Sequence, residues 1–186
     1  DIRTLHADFG FLPKQRDPLG RLFNLELAGG SLLDLGIYPV SLASMILGKP
    51  SSMQTLPNMG PTGVDEQAAW IFRYPCGALA MLLSSLQCET RQEAFISGSL
   101  GNIRIHKQCW KPQKMTFTET NGVANETIEM PFKGNGFNYE AESFGNLFLE
   151  GKKESPIMSL SESLEIMSQL DQIRKEWNLI YPMDRQ

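Results

Sequence analysis

The longest hydrophobic pattern in the chain lies between Ser31 and Leu47 and predicts a helix. Its apolar residues occupy more than one helical stripe, so we expect the helix to be buried on most sides: Leu32, Leu33, Leu35, Ile37, Val40, Leu42, Ala43, Met45, Ile46 and Leu47. Ser31 is suited to cap its start, with Asp34 in the capping-box position, and Gly48 and Pro50 are suited to end it.

Alternation of apolar and polar residues with a period of two predicts β-strands in most of the remaining chain. A first strand is expected at 2–11, and a long loop at 12–30 is of the kind that often carries function. Later strands are expected at 52–56, 66–74, 78–86, 92–99, 102–106, 114–119 and 126–130. Two helices, 139–151 and 161–177, finish the chain.

This order of elements (strand, helix, a run of strands, two helices) predicts an α+β fold. We expect an open, mostly antiparallel sheet with the helices on one face, in a single domain that spans residues 1–186. The other face of such a sheet must meet water or a partner. Because its first residues already lie in a strand, we also expect the chain to be a piece of a longer protein.

The composition excludes several classes of protein. Hydrophobic residues make up 41% and charged residues 20%, which is typical of a globular chain. With 17 basic and 21 acidic residues the net charge is -4, so the basic surface of a nucleic-acid-binding protein is absent. No apolar run approaches the ~20 residues of a membrane span, and the N-terminus does not resemble a signal peptide. Three widely spaced cysteines argue against a disulfide framework and favour a cytoplasmic location.

The helix at 31–47 carries an unusual set of polar residues. Asp34, Tyr38 and Ser41 follow an i, i+4, i+7 spacing, which predicts one shared face. Gly36 and Pro39 lie among them, and both disfavour a regular helix. Local rules broken around polar groups often mark functional sites. The alternative is a kinked core helix whose Tyr38 hydroxyl bonds to backbone.

Other candidate chemistry is sparse. His6 and His106 are the only histidines, and no group of Cys, His and carboxylate residues has metal-ligand spacing, so no metal site is expected. The segment 134–139 resembles a dinucleotide fingerprint, but it lacks the third glycine and a surrounding βαβ unit, so we interpret it as a loop.

Residues 29–39, GGSLLDLGIYP, resemble the signature of the glucose-fructose oxidoreductase/inositol dehydrogenase/MocA family, and within it the dimeric dihydrodiol dehydrogenases. Further segments are similar in the same order: Ala7–Phe11, Thr62–Glu66, Asn138–Glu142, Glu154–Pro156, Leu164–Arg174 and Tyr181–Pro182. The family's N-terminal Rossmann domain, with its glycine fingerprint and Glu-Lys-Pro motif, has no counterpart here. The resemblance therefore identifies the chain as a C-terminal substrate-binding and dimerisation domain.

The resemblance also implies roles for particular residues. Tyr38 matches the tyrosine that transfers a proton during hydride transfer, with a lysine of the missing domain as the neighbouring cation. Asp34 matches the family's aspartate, and we assign it to binding a substrate hydroxyl. Phe9 and His6 are weaker candidates for the pocket wall. No residue of this chain is expected to bind the cofactor, which is NAD or NADP in the full-length parent.

The implied partners are a sugar or cyclic diol substrate and a second subunit, paired through the open sheet face. The isolated chain is expected to be inactive and to bind no cofactor. The competing hypothesis is a non-enzymatic module for dimerisation or binding through the sheet. A preceding glycine fingerprint in the reading frame would favour the enzyme. The substrate and the choice between NAD and NADP stay open.

Overall fold

A computed structural model describes residues 1–185 and places eight strands in one sheet. The strands are β1 (Ile2–Gly10), β2 (Ser52–Met59), β3 (Asp65–Arg73), β4 (Leu79–Ser85), β5 (Ala94–Gly98), β6 (Gly101–Ile105), β7 (Lys114–Glu119) and β8 (Asn125–Glu129). Their spatial order is β2-β3-β4-β1-β5-β6-β7-β8. Among these strands β1 and β4 form the one parallel pair, and the other neighbours are antiparallel. The expected open, mostly antiparallel sheet is confirmed.

The predicted strand positions are confirmed with small shifts. The largest is in β2, which continues past the expected end at Leu56 to Met59. Pro57 lies inside this extension. A proline is tolerated there because β2 is an edge strand, so the missing N–H costs no hydrogen bond on its open side.

Three α-helices are present in residues 1–185: α1 (Ile37–Leu47), α2 (Phe137–Leu149) and α3 (Leu160–Glu176). Short 3₁₀ turns occur at Leu25–Leu27 and Pro182–Arg185. Helices α1 and α3 pack together and share one core with the sheet, to which Trp70 and Phe72 of β3 and Leu170 and Ile173 of α3 contribute fully buried side chains. The expectation of helices on one face is met by this pair, whereas no residue of α2 is buried.

The predicted helix at 31–47 is not regular. Its first part, Leu32–Gly36, is a π-helical turn in which the N–H of Ile37 donates to the carbonyl of Leu32. Gly36 ends this turn, and a Cβ there would lie 2.8 Å from the indole ring of Trp70. Pro39 follows, where the ring and the missing N–H disfavour a standard α-helical turn. The two residues therefore shape the start of α1 as the sequence suggested.

The stretch Leu25–Leu47 is long and apolar enough, by length and composition alone, to cross a membrane. This qualifies the expectation that no such stretch exists. Half of its most apolar window is buried inside the protein, and Gly30 interrupts it with a φ of +125°. This degree of burial is typical of a core helix that packs on a sheet.

Candidate active site

The start of the π turn is fixed by Asp65, the first residue of β3. One carboxylate oxygen accepts hydrogen bonds from the Ser31 hydroxyl (2.8 Å) and the Leu32 N–H (2.7 Å). Ser31 also contacts the Ser84 hydroxyl at 2.8 Å. The expected capping box of Ser31 and Asp34 is therefore wrong, because a carboxylate from the neighbouring strand caps the helix. Burial raises the pKa of Asp65 to about 6, although hydrogen bonds from Ser31 and Leu32 oppose the shift.

Tyr181 stabilises the backbone just before the π turn. Its side chain is 2% exposed, and its hydroxyl donates a 2.8 Å hydrogen bond to the carbonyl of Gly29. The guanidinium of Arg174 lies 5.0 Å from the centre of its ring. Burial raises the pKa of Tyr181, so this hydroxyl stays protonated and holds the backbone.

Tyr38, in contrast, is 44% exposed. The centre of its ring lies 5.3 Å from that of Phe9, in an edge-to-face arrangement, and 6.0 Å from that of Trp110. The rings of Phe9 and Trp110 stack with their centres 3.7 Å apart. Within residues 1–185 its hydroxyl has no hydrogen-bond partner. The alternative of a core tyrosine bonded to backbone is therefore wrong for Tyr38.

Two clefts meet at Tyr38 and Trp110. One has a volume of about 590 Å³ and includes Ser41, Cys109 and Glu162 in its walls. The other has a volume of about 630 Å³ and includes Lys111 and the start of α2. Burial raises the pKa of the Cys109 thiol to about 12, so this cysteine is not a nucleophile near neutral pH.

Asp34 does not line either cleft; it pairs with a loop residue. The guanidinium of Arg21 donates to both carboxylate oxygens of Asp34, and this contact raises the pKa of Arg21. The predicted shared face of Asp34, Tyr38 and Ser41 holds for the last two, which line one cleft. Asp34 lies inside the π turn, so the 3.6-residue spacing does not carry from Asp34 to the residues of α1.

His6 lies on the other side of the sheet. Side chains alternate along a strand, and in β1 it is Leu5 and Ala7 that face the helices. His6 is exposed beside Met81 of β4 and Phe95 of β5 and lines a hollow of about 780 Å³ on the helix-free face. The expectation that His6 and Tyr38 share a pocket wall is therefore wrong, whereas Phe9 is placed against Tyr38.

Two residues of the site were missed from the sequence. Arg21 lies in the long loop that was expected to carry function, but nothing in its neighbours distinguishes it from the loop's other charges. Trp110 lies in an irregular segment after β6, two residues after Gln108, which has a φ of +67°. Such a segment has no periodicity from which its contact with Phe9 could be found.

The described residues do not form a cradle for a dinucleotide pyrophosphate. Such a phosphate binds a free helix N-terminus. The Asp65 carboxylate occupies the start of the π turn, Ser159 caps α3, and at the start of α2 the Asn135 side chain accepts a hydrogen bond from the Phe137 N–H. Of the segment 134–139 that we interpreted as a loop, residues 134–136 form a turn, whereas residues 137–139 are the first residues of α2. Over residues 1–185 no three His, Cys, Asp or Glu side chains are grouped as metal ligands.

Comparison with known families places the site in context. The family model of the GFO/IDH/MocA C-terminal domain matches residues 1–104, which include β1, the loop, the π turn and Tyr38. The chain belongs to this family. The matched range includes residues 29–39, which contain the irregular helix start described above.

Members of the family with similar sequences are oxidoreductases. Human trans-1,2-dihydrobenzene-1,2-diol dehydrogenase is 30% identical over 197 residues, which cover 100% of this chain and 56% of the human protein. The Xenopus laevis enzyme of the same name is 35% identical over 188 residues, covering 98% and 56%. The chain thus spans about half the length of the curated relatives it matches.

Solved structures show the same fold. Aldose-aldose oxidoreductase from Caulobacter crescentus, complexed with glycerol, has a TM-score of 0.77 at 24% identity and covers 94% of this chain and 54% of its own. A 3-ketoreductase from Actinomadura kijaniata, in complex with NADP and TDP-benzene, has a TM-score of 0.76 at 21% identity, with coverages of 94% and 54%. At these identities the likeness establishes the fold of the domain.

Proposed function

We propose that this chain is the substrate-binding part of an NAD(P)-dependent oxidoreductase that acts on a sugar or cyclic diol, with Tyr38 as the proton donor and acceptor. The observation that carries the proposal is the Tyr38 hydroxyl, which is exposed and unbonded where two clefts meet. A tyrosine held only for packing would have no need of this position.

The chemistry of this chain's residues follows from that placement. The nicotinamide, when bound, supplies or accepts the hydride. In reduction, the Tyr38 hydroxyl gives its proton to the substrate oxygen, and in oxidation the phenolate takes that proton back. A free tyrosine has a pKa of about 10, so a neighbouring cation is needed near neutral pH. By family resemblance, a lysine of the missing domain provides it.

The surrounding residues fix the reacting geometry. Phe9 and Trp110 pack against the Tyr38 ring and limit its rotation, which keeps the hydroxyl directed at one place. Asp34 lines neither cleft, so we assign it to a substrate hydroxyl remote from the reacting oxygen, and its pairing with Arg21 holds the carboxylate in one orientation. Both side chains of that pair are partly exposed, so a substrate can reach them.

The full-length protein tests this proposal directly. With NADP or NAD present, we expect it to oxidise a cyclic trans-diol or an aldose, followed by the absorbance of the reduced cofactor. The 186-residue chain alone is expected to bind neither NADH nor NADPH in titration calorimetry, since it lacks a phosphate cradle. Absence of turnover with every member of both substrate classes, or micromolar cofactor binding by the chain alone, would contradict the proposal.

A homodimer through the helix-free sheet face is the second part of the proposal. That face carries Leu56, 74% exposed, and Ile71, 44% exposed, beside the partly buried Met81 and Leu83. Exposed apolar areas of this kind mark association surfaces. Light scattering at tens of micromolar should give a dimer for the chain and a monomer for Ile71→Asp. The control Ile157→Asp, at an exposed position in the loop before α3, should stay dimeric; a monomeric wild type would refute this part.

A further inference from the structure

Helix α2 carries an apolar stripe that nothing in the described chain covers. Phe137, Phe144 and Phe148 are 69%, 70% and 71% exposed, and with Ala141 they recur every three or four residues along one face. A helix of 13 residues is marginal by itself in water. We call these four residues the α2 stripe, and its exposure indicates a missing packing partner.

The α2 stripe is continuous with the Tyr38 site. The cleft of about 630 Å³ that contains Tyr38 and Trp110 also contains Phe137. From Phe137 a groove of about 730 Å³ continues past Phe144 and Phe148 to Met158, which also lines the second Tyr38 cleft. A domain or subunit that covers the α2 stripe therefore borders both clefts at Tyr38.

We propose that the α2 stripe is the docking surface for the dinucleotide-binding half of the enzyme. This inference rests on the proposed function. The match covers 56% of the length of the human relative, so the remaining 44% of that protein lies outside the match. The described residues hold no phosphate cradle, so that other half must carry the cofactor. To bring the nicotinamide to Tyr38 it must lie beside the Tyr38 clefts, and the uncovered apolar surface that borders them is the α2 stripe.

Hydrogen–deuterium exchange of the complete translated protein and of the 186-residue chain tests this assignment. Amides of 137–149 should exchange at least about tenfold more slowly in the complete protein, because docking closes the local opening of the helix. Equal exchange rates would overturn the proposal. If the α2 amides of the short chain are already protected, and this protection increases with protein concentration, the stripe is covered by a second copy of the chain. That result would also overturn the proposal.

A pair of variants in the complete protein sharpens the test. Phe144→Ser combined with Phe148→Ser should remove the protection of 137–149 while the amides of β3 stay protected, which shows that the core is folded. The control Val123→Ser, at an 83% exposed position in the turn between β7 and β8, should keep the protection. Protection that survives the double substitution would contradict the docking surface.

The docking surface and the proposed function can fail separately. Turnover of diol or aldose with unprotected α2 amides would refute the docking surface alone. The proposed function would be refuted if the α2 amides are protected and the double substitution removes that protection, while the protein binds no nicotinamide cofactor and oxidises no diol or aldose. That result would also remove the cofactor-carrying half as the occupant.

Discussion

Two regions along the helical segment 31–47, one at its start and one at Tyr38 just after the π turn, make different use of a tyrosine. In the anchor region, which comprises Gly29–Leu32, Asp65, Ser84 and Tyr181, the polar side chains are buried and Tyr181 is bonded to backbone. In the cleft region, which comprises Phe9, Tyr38 and Trp110, Tyr38 is half exposed and bonded to nothing in the described chain. The buried groups stabilise one conformation of the backbone, and the exposed group is free to contact a substrate.

The proposed function gives a reason for both regions to lie on one segment. A residue that must transfer a proton needs a fixed position and an accessible oxygen at the same time. The anchor region provides the fixed position, because Asp65 and Tyr181 hold the backbone just before the π turn. The π turn then carries the chain out to Tyr38 at the cleft. We therefore expect substitutions in the anchor to change stability and substitutions in the cleft to change catalysis.

The largest expected effect on stability lies in the anchor region and depends on pH. The pKa of Asp65 is raised by burial from 3.8 to about 6, so the folded state binds this proton more tightly than the unfolded state. The stability that this provides is complete below pH ~4 and is lost as the pH rises through ~6, which amounts to about 3 kcal/mol at most.

Asp65→Asn removes that titration, so it should gain stability relative to wild type between pH 4 and 7. Chemical denaturation of both proteins across this range measures the difference. Glu150→Gln, at an exposed carboxyl after α2, is the control and should follow wild type. A difference between wild type and Asp65→Asn that does not vary with pH would show that Asp65 is not perturbed in the anchor.

A smaller effect is expected beside the cleft, at Asp34. If Asp34 binds a substrate hydroxyl, Asp34→Asn should raise KM about three- to tenfold with a smaller loss of kcat. Arg21→Gln is the matched control, because it removes the ion pair and leaves the carboxylate in place. Steady-state kinetics of both variants should show the larger KM change for Asp34→Asn. Equal changes would mean that Asp34 acts only through its pair with Arg21.

Much of the fold could be predicted from the sequence because its patterns are local. Alternation located the strands of the sheet, and the pair of Gly36 and Pro39 marked the irregular helix start. The cap of that helix could not be found in this way, since Asp65 comes from a strand 33 residues after Leu32. Local sequence patterns predict a capping box within the segment, whereas in the folded protein Asp65 of β3 caps the helix.

The site was predicted in part for the same reason. Phe9 and Tyr38 belong to segments with clear patterns, and the structure brings them into contact. His6 has the same strand pattern but the opposite parity to Phe9, which places it on the other face. Trp110 and Arg21 lie in irregular segments, so their contacts depend on loop conformations that no periodicity describes.

The most direct test of the central claim compares Tyr38→Phe with Tyr181→Phe in the full-length enzyme, measuring kcat and the melting temperature of each. Tyr38→Phe should lower kcat by about 10²–10⁴-fold with an unchanged melting temperature, since the hydroxyl stabilises nothing in the fold. Tyr181→Phe should keep kcat and lose about 1–3 kcal/mol of stability, because the Gly29 carbonyl is left buried and unpaired. A Tyr38→Phe enzyme with wild-type kcat and a lowered melting temperature would contradict the assignment of Tyr38 as the proton-transferring residue.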